Sequence, residues 1–277
     1  MSGRHRLSTS FVPSFLPMFL GEPPATQADL HFRLFGFPVR VHPYFWVVSL
    51  LMGLGGGPAD PQRTLIWIGV VFVSVLLHEM GHATVQRFYG GHPWITLYGF
   101  GGLASCNDGP RTPGRRIAVL LAGPGAGFLL AAFVIAAMKL SGHVLGFGQL
   151  STLFDPNAME YDHVIIQPLG PLGVYFTPLN TPLLNDVVAK VLEVNIMWGV
   201  INLLPVFPLD GGQISRELFN LKDPRNGATQ ALQLSAGVAV LIAAYALLNQ
   251  RFYVALMFGY LAYSNFQTLQ FYRNRWR

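Results

Sequence analysis

Residues 76 to 83 read LLHEMGHA and set two imidazoles and a carboxyl group inside one of the most apolar stretches of the chain. If that stretch is an α-helix, His78 and His82 stand one turn apart on a single face. Both rings can then reach one metal ion, and Glu79 lies beside them. The bland reading is three interfacial polar residues with no shared task. It carries a cost, because an acid near the centre of a hydrocarbon layer costs on the order of 2 to 3 kcal/mol, and groups kept there are seldom idle. The trio therefore points to a zinc centre.

A catalytic zinc usually has three protein ligands and one open position. No glutamate occurs between Glu79 and Glu160, which disfavours the arrangement in which a downstream Glu completes the set. The extension that adds a third histidine fails as well, since Val85 and Phe88 occupy the positions of its Gly and His. Asp210, in NLLPVFPLDGG (residues 202 to 212), is the remaining candidate. Pro205 and Pro208 interrupt a helix ahead of it, and Gly211 and Gly212 open backbone conformations closed to other residues. DGG also reads as a plain turn leaving a membrane, although a turn does not explain an acid at the depth of the histidine pair.

The elements that must position these residues are membrane segments. Of 277 residues, 52% are hydrophobic and 11% charged, whereas soluble domains carry about 25% charged residues. Residues 41–59, 64–77, 117–138, 194–209, 226–250 and 252–272 contain no Asp, Glu, Lys or Arg. With their flanks they read as about six transmembrane helices. The expected fold is thus an all-α polytopic membrane protein with small β-hairpins near the N-terminus and after the HEMGH helix. The hairpins are read from the β-formers in residues 31–42 and 94–106.

The net charge of +5 is dispersed among the connections, with no basic run of the kind that binds nucleic acid, and no nucleic-acid partner is expected. Residues 1–42, 87–116, 211–227 and the C-terminal tail hold 14 of the 18 Lys and Arg. That asymmetry places both termini in the cytoplasm, in an inner or plasma membrane. His78, His82 and Asp210 then meet at one depth on the cytoplasmic side. The apolar run from Phe11 to Leu20 faintly resembles a signal peptide, but Pro13 and Pro17 interrupt it and cleavage is not expected. The expected division is a cytoplasmic tail and hairpin over 1–42 and a membrane-embedded unit over 43–277, with 141–185 as an external loop.

On these motifs the chain resembles the site-2 protease family of intramembrane zinc metalloproteases, peptidase family M50. HEMGH matches the family's HExxH helix, including Gly81 between the ligand positions, and Leu209, Asp210 and Gly211 match its LDG motif. Asn202 stands where the family has an Asn eight residues earlier, and Gly101 to Ala104 and Ala122 to Pro124 fall where it has similar stretches. The resemblance implies one Zn²⁺ per chain held by His78, His82 and Asp210, with Glu79 as general base and Asn202 as a possible donor to the oxyanion. Asn202 reads equally well as an interhelical hydrogen bond. The implied substrates are segments of membrane proteins cut within or next to the bilayer, in regulated proteolysis, and residues 94–106 offer a strand that could hold such a segment extended. A PDZ insertion between the metal motifs and a nucleotide-sensing tail, found in many relatives, are not evident. The alternative is a catalytically inactive zinc-binding membrane scaffold, against which Glu79 itself argues.

Overall fold

The computed structural model describes residues 22–54, 60–99, 101–149, 164–169 and 172–275. The apolar run from Phe11 to Leu20 and the acidic residues Asp155, Glu160 and Asp162 lie outside the described residues. Within them are seven helices and two small sheets.

A β-hairpin comes first, β1 (Leu30–Leu34) and β2 (Phe37–Val41). Its turn is made at Phe35 and Gly36, both with positive φ (48° and 81°). A short helix, α1 (Pro43–Leu54), follows, and then α2 (Pro61–Phe88), which carries HEMGH. The start of α2 is well specified. Asp60 accepts hydrogen bonds from the backbone N–H groups of Gln62 and Arg63, and Pro61 occupies the first helical position, where a missing N–H costs nothing. A second hairpin, β3 (Trp94–Tyr98) and β4 (Gly101–Ser105), leads into α3 (Pro113–Leu140).

The two expected hairpins join. Strands β2 and β3 pair in parallel, with Val39 opposite Ile95 and Val41 opposite Leu97, giving one sheet in the order β1-β2-β3-β4. The inner face, formed by Phe37, Val39, Val41, Ile95 and Leu97, packs on Phe45 of α1 and on Val75, Leu76 and Ala83 of α2. On the outer face Arg40 makes ion pairs with Glu22 and Asp29, each at 3.3 Å, and Thr96 donates to Glu22 at 2.7 Å. The sheet is thereby fixed against the half of α2 that holds the histidines.

The 141–185 segment is the main departure from the expected architecture. Where a loop without regular structure was expected, it contains β5 (Leu145–Gln149), β6 (Val164–Leu169) and β7 (Leu172–Phe176), paired in the order β5-β7-β6. Its buried side chains Leu145, Ile166, Val174 and Phe176 pack on Ala131 and Met138 of α3 and on Ala189 and Leu192 of the next helix, α4 (Pro182–Asn202). The β-formers were visible, but the interspersed Pro and Gly residues disguised them as a loop. With two sheets present, the fold is mostly helical and not all-α.

The chain ends with α5 (Asp210–Lys222), α6 (Gly227–Leu248) and α7 (Phe252–Arg275). Among the described residues, α2, α3 and α6 are long and apolar enough to cross a membrane, three helices where about six were expected. The reasons are local: α1 has only 12 residues, α4 carries Asp186, Lys190 and Glu193, and α7 is diluted by Asn265, Gln267 and Gln270. Large apolar side chains, Leu129, Phe133, Leu241 and Leu256 among them, stand exposed on α3, α6 and α7. In water a surface of this kind would be an aggregation liability, and in a bilayer it is the expected one.

Candidate metal centre

One turn of α2 separates His78 from His82, and their Nε2 atoms approach to 3.1 Å. Asp210, the first residue of α5, places Oδ2 3.2 Å from Nε2 of His78 and 3.3 Å from Nε2 of His82. The three atoms form a nearly equilateral triangle. A tetrahedral zinc with bonds of about 2.0 Å needs ligand atoms about 3.3 Å apart, so the triangle has the dimensions of three of the four corners. The donor chemistry agrees, since Oδ2 of Asp210 is buried with no hydrogen-bond partner of its own. Such an orphaned carboxylate oxygen between two imidazoles is what a cation would satisfy.

The ring orientation of His82 is fixed from behind. Its Nδ1 donates to the backbone carbonyl of Val119 on α3 at 2.7 Å, which leaves the Nε2 lone pair facing the triangle. All four polar residues are nearly sealed from solvent, with relative exposures of 4% for His78, 5% for Glu79, 6% for His82 and 7% for Asp210. Ligand atoms of His78, Glu79 and His82 lie within 4.8 Å of one another.

Glycine supplies the space. A side chain at Gly123 of α3 would collide with the His82 imidazole, and one at Gly81 would collide with the Ala122 carbonyl, so helices α2 and α3 touch through backbone at the level of the centre. Gly102 of β4 is pressed against the Glu79 carboxyl group in the same way. Gly123 therefore does more than let two helices touch, since it leaves the room that the His82 imidazole occupies.

The connection between α4 and α5 delivers Asp210. Gly211 lies against the Leu203 and Leu204 carbonyls and Gly212 against the Phe207 backbone, contacts closed to any residue with a Cβ. Further along α5, Glu217 is buried and pairs with Arg116 of α3 at 3.1 Å, which ties α5 to the helix behind the imidazoles.

Asn202 is not brought to the triangle by any contact of its amide. Its Nδ2 donates to the Trp198 carbonyl one turn back at 3.0 Å. A different Asn carries an interhelical bond: Asn195, 2% exposed, donates to Ser74 of α2 at 2.9 Å, one turn before His78. That residue was missed, although an amide inside the charge-free 194–209 stretch is itself a signal. Among the described residues, the other histidines stay outside the centre. Nδ1 of His42 accepts from the Tyr44 N–H, His143 meets Thr177, and His92 pairs with Asp108 at 2.6 Å. Cys106 donates to Asp108 at 3.1 Å. These hydrogen bonds, His92 first, hold the Asp108 carboxyl well below the usual carboxylate range.

Residues 66–244 match peptidase family M50, and the chain belongs to that family. It is similar to a zinc metalloprotease of Methanocaldococcus jannaschii, 27% identical over 232 residues that cover 82% of this chain and 56% of the relative. It is also similar to stage IV sporulation protein FB of Bacillus subtilis, 27% identical over 193 residues, covering 67% of this chain and 49% of that protein. The chain thus spans about half the length of the curated relatives it matches. Among solved structures, the site-2 protease from Methanocaldococcus jannaschii shares the fold, with a TM-score of 0.53, 22% identity, and coverage of 87% of this chain and 95% of that one.

Proposed function

We propose that this chain is a zinc-dependent endopeptidase that cuts membrane-protein substrates within or next to their transmembrane segments. The observation that carries the reading is the buried triangle of His78 Nε2, His82 Nε2 and Asp210 Oδ2 with Glu79 beside it. Membership of family M50 and the names of the relatives support it.

In this reading His78, His82 and Asp210 hold one Zn²⁺ per chain. Bound zinc supplies Lewis-acid polarisation of the scissile carbonyl and makes a nucleophile available from water at neutral pH. Glu79 takes the proton from the attacking water and passes it to the leaving amine, its carboxyl group held close against Gly102. Val119 holds the His82 ring through its carbonyl, and α3 shields the centre from the opposite side. Asn202 is kept as a candidate donor to the developing oxyanion, requiring its amide to turn from the Trp198 carbonyl. Treating the full-length protein in proteoliposomes with a zinc chelator is expected to stop cleavage of a single-pass test substrate, and added zinc to restore it. Cleavage that survives complete removal of zinc would reject the reading.

The finer topology belongs to the same proposal. Six helices, α1 to α4 with α6 and α7, are embedded in the bilayer, and residues 1–42 form a cytoplasmic tail and hairpin. The basic residues of 87–116 and 211–227 face the cytoplasm, and so does the opening to the centre. Reporters fused after Arg116 and Lys222 are expected inside, and one after Glu160 outside. Disagreement between the Arg116 and Lys222 reporters would put the two metal motifs on opposite sides and is incompatible with the site.

A further inference from the structure

Helices α6 and α7 contribute none of the candidate ligands, yet both reach the connection that delivers Asp210. The N–H of Phe207 donates to Oγ of Ser235 on α6 at 3.1 Å, and the Phe207 carbonyl accepts from Nδ2 of Asn265 on α7 at 2.7 Å. Ser235 is 0% exposed and Asn265 2% exposed. Two buried polar side chains from separate helices thus converge on the two peptide groups of one residue, and among the described residues no backbone partner takes either group.

Packing alone does not explain this choice of residues. Val206 is fully buried among Ala239, Phe258, Leu261 and Ala262, so an apolar clamp on the connection already exists. Asn265 also leaves its own Oδ1 buried without a hydrogen-bond partner. An apolar side chain of the same shape would avoid that cost, and what it would not supply is the Nδ2 donor, which bonds the Phe207 carbonyl and also the Leu261 carbonyl one turn back on α7, each at 2.7 Å.

The link from Phe207 to Asp210 is short, made of backbone contacts and one side-chain bond. The Leu209 N–H donates to the Val206 carbonyl at 2.9 Å, Nε2 of Gln213 donates to the Pro208 carbonyl at 3.0 Å, and the Gly212 backbone rests directly on the Phe207 peptide. A rotation of the Phe207 peptide is therefore passed to the first turn of α5, where Asp210 sits.

We infer that Ser235 and Asn265 are positioning residues for Asp210, holding the Phe207 peptide so that the Asp210 carboxylate meets His78 and His82 at the distances a metal requires. The inference rests on the reading of Asp210 as the third ligand. Neither residue is a candidate ligand; both act through the peptide groups of Phe207. They set how well the carboxylate is preorganised, and their loss shows in metal binding before it shows in folding.

The test uses the full-length protein in detergent with two readouts: zinc affinity by competition with a chromophoric chelator, and the visible spectrum of the cobalt(II)-substituted protein, whose band shape reports the ligand arrangement. Ser235→Ala and Asn265→Leu are each expected to weaken zinc binding by on the order of tenfold, as loss of supporting groups around metal ligands commonly does. Each is also expected to alter the cobalt spectrum while the metal-free protein still melts cooperatively. Ser235→Thr, which keeps the hydroxyl, is expected to restore both readouts. Wild-type affinity and a wild-type cobalt spectrum in Ser235→Ala and Asn265→Leu, alongside loss of metal in Asp210→Ala, overturn the positioning role and leave the ligand reading standing. Wild-type zinc affinity in Asp210→Ala removes the ligand reading and the inference with it. If Asn265→Leu does not fold, the comparison of Ser235→Ala with Ser235→Thr decides.

Discussion

Replacing Glu79 by Gln is expected to abolish cleavage while leaving zinc in place. The amide keeps the shape of the side chain in its enclosure against Gly102 and removes only the capacity to take a proton. General-base contributions run to about 10²–10⁴-fold in rate, or about 3 to 5 kcal/mol of activation free energy. The decisive measurement is turnover of a single-pass substrate together with metal content in the same preparation. Turnover near wild type in Glu79→Gln would mean that the proton leaves by another route. A membrane peptide that accumulates with the variant, and not with the wild type, would also identify a substrate. An inactive zinc scaffold would show no difference between the two.

Asp210→Ala is expected to have the largest effect on metal binding. It deletes the carboxylate corner of the triangle and leaves the two imidazoles of α2 facing a void. Loss of a group that only supports a metal ligand typically costs 10–100-fold in affinity, so removal of the carboxylate itself should cost ~100-fold or more, and purified protein should fall from about one zinc per chain towards none. Elemental analysis after dialysis against a weak chelator checks this. Full occupancy in the variant would show that the third corner is filled by another group.

Much of this centre is readable from the sequence because its cost is readable. Ionisable groups in a hydrocarbon-like stretch need a reason to be there, and the spacing of His78, Glu79 and His82 names one. Asp210 follows by elimination and by depth. What stays hidden depends on the close approach of distant segments. Nothing in the residues around Val119 signals that its carbonyl receives a hydrogen bond from His82, and Gly123 is indistinguishable by spacing from a glycine that only lets helices touch. Both hairpins are visible through their β-formers, but the parallel pairing of β2 with β3 joins strands separated by two helices and has no local signal. The β5-β7-β6 sheet is obscured for the opposite reason, because its prolines and glycines speak locally for a loop while burial against Ala131 and Leu192 decides otherwise. Segments α6 and α7 offer no chemistry as sequence, and Ser235 and Asn265 acquire meaning only once Phe207 is seen between them.

The three corners of the triangle come from two distant parts of the chain, two from α2 and one from the start of α5. On the proposed reading, an ion seated there would also stitch together two elements far apart in sequence. By mass action, a ligand present at a thousand times its dissociation constant adds about 4 kcal/mol to the stability of the state that binds it. If the centre holds zinc as proposed, the native helix arrangement and the loaded centre are one equilibrium, and the protein deprived of zinc is expected to be looser and more open to degradation.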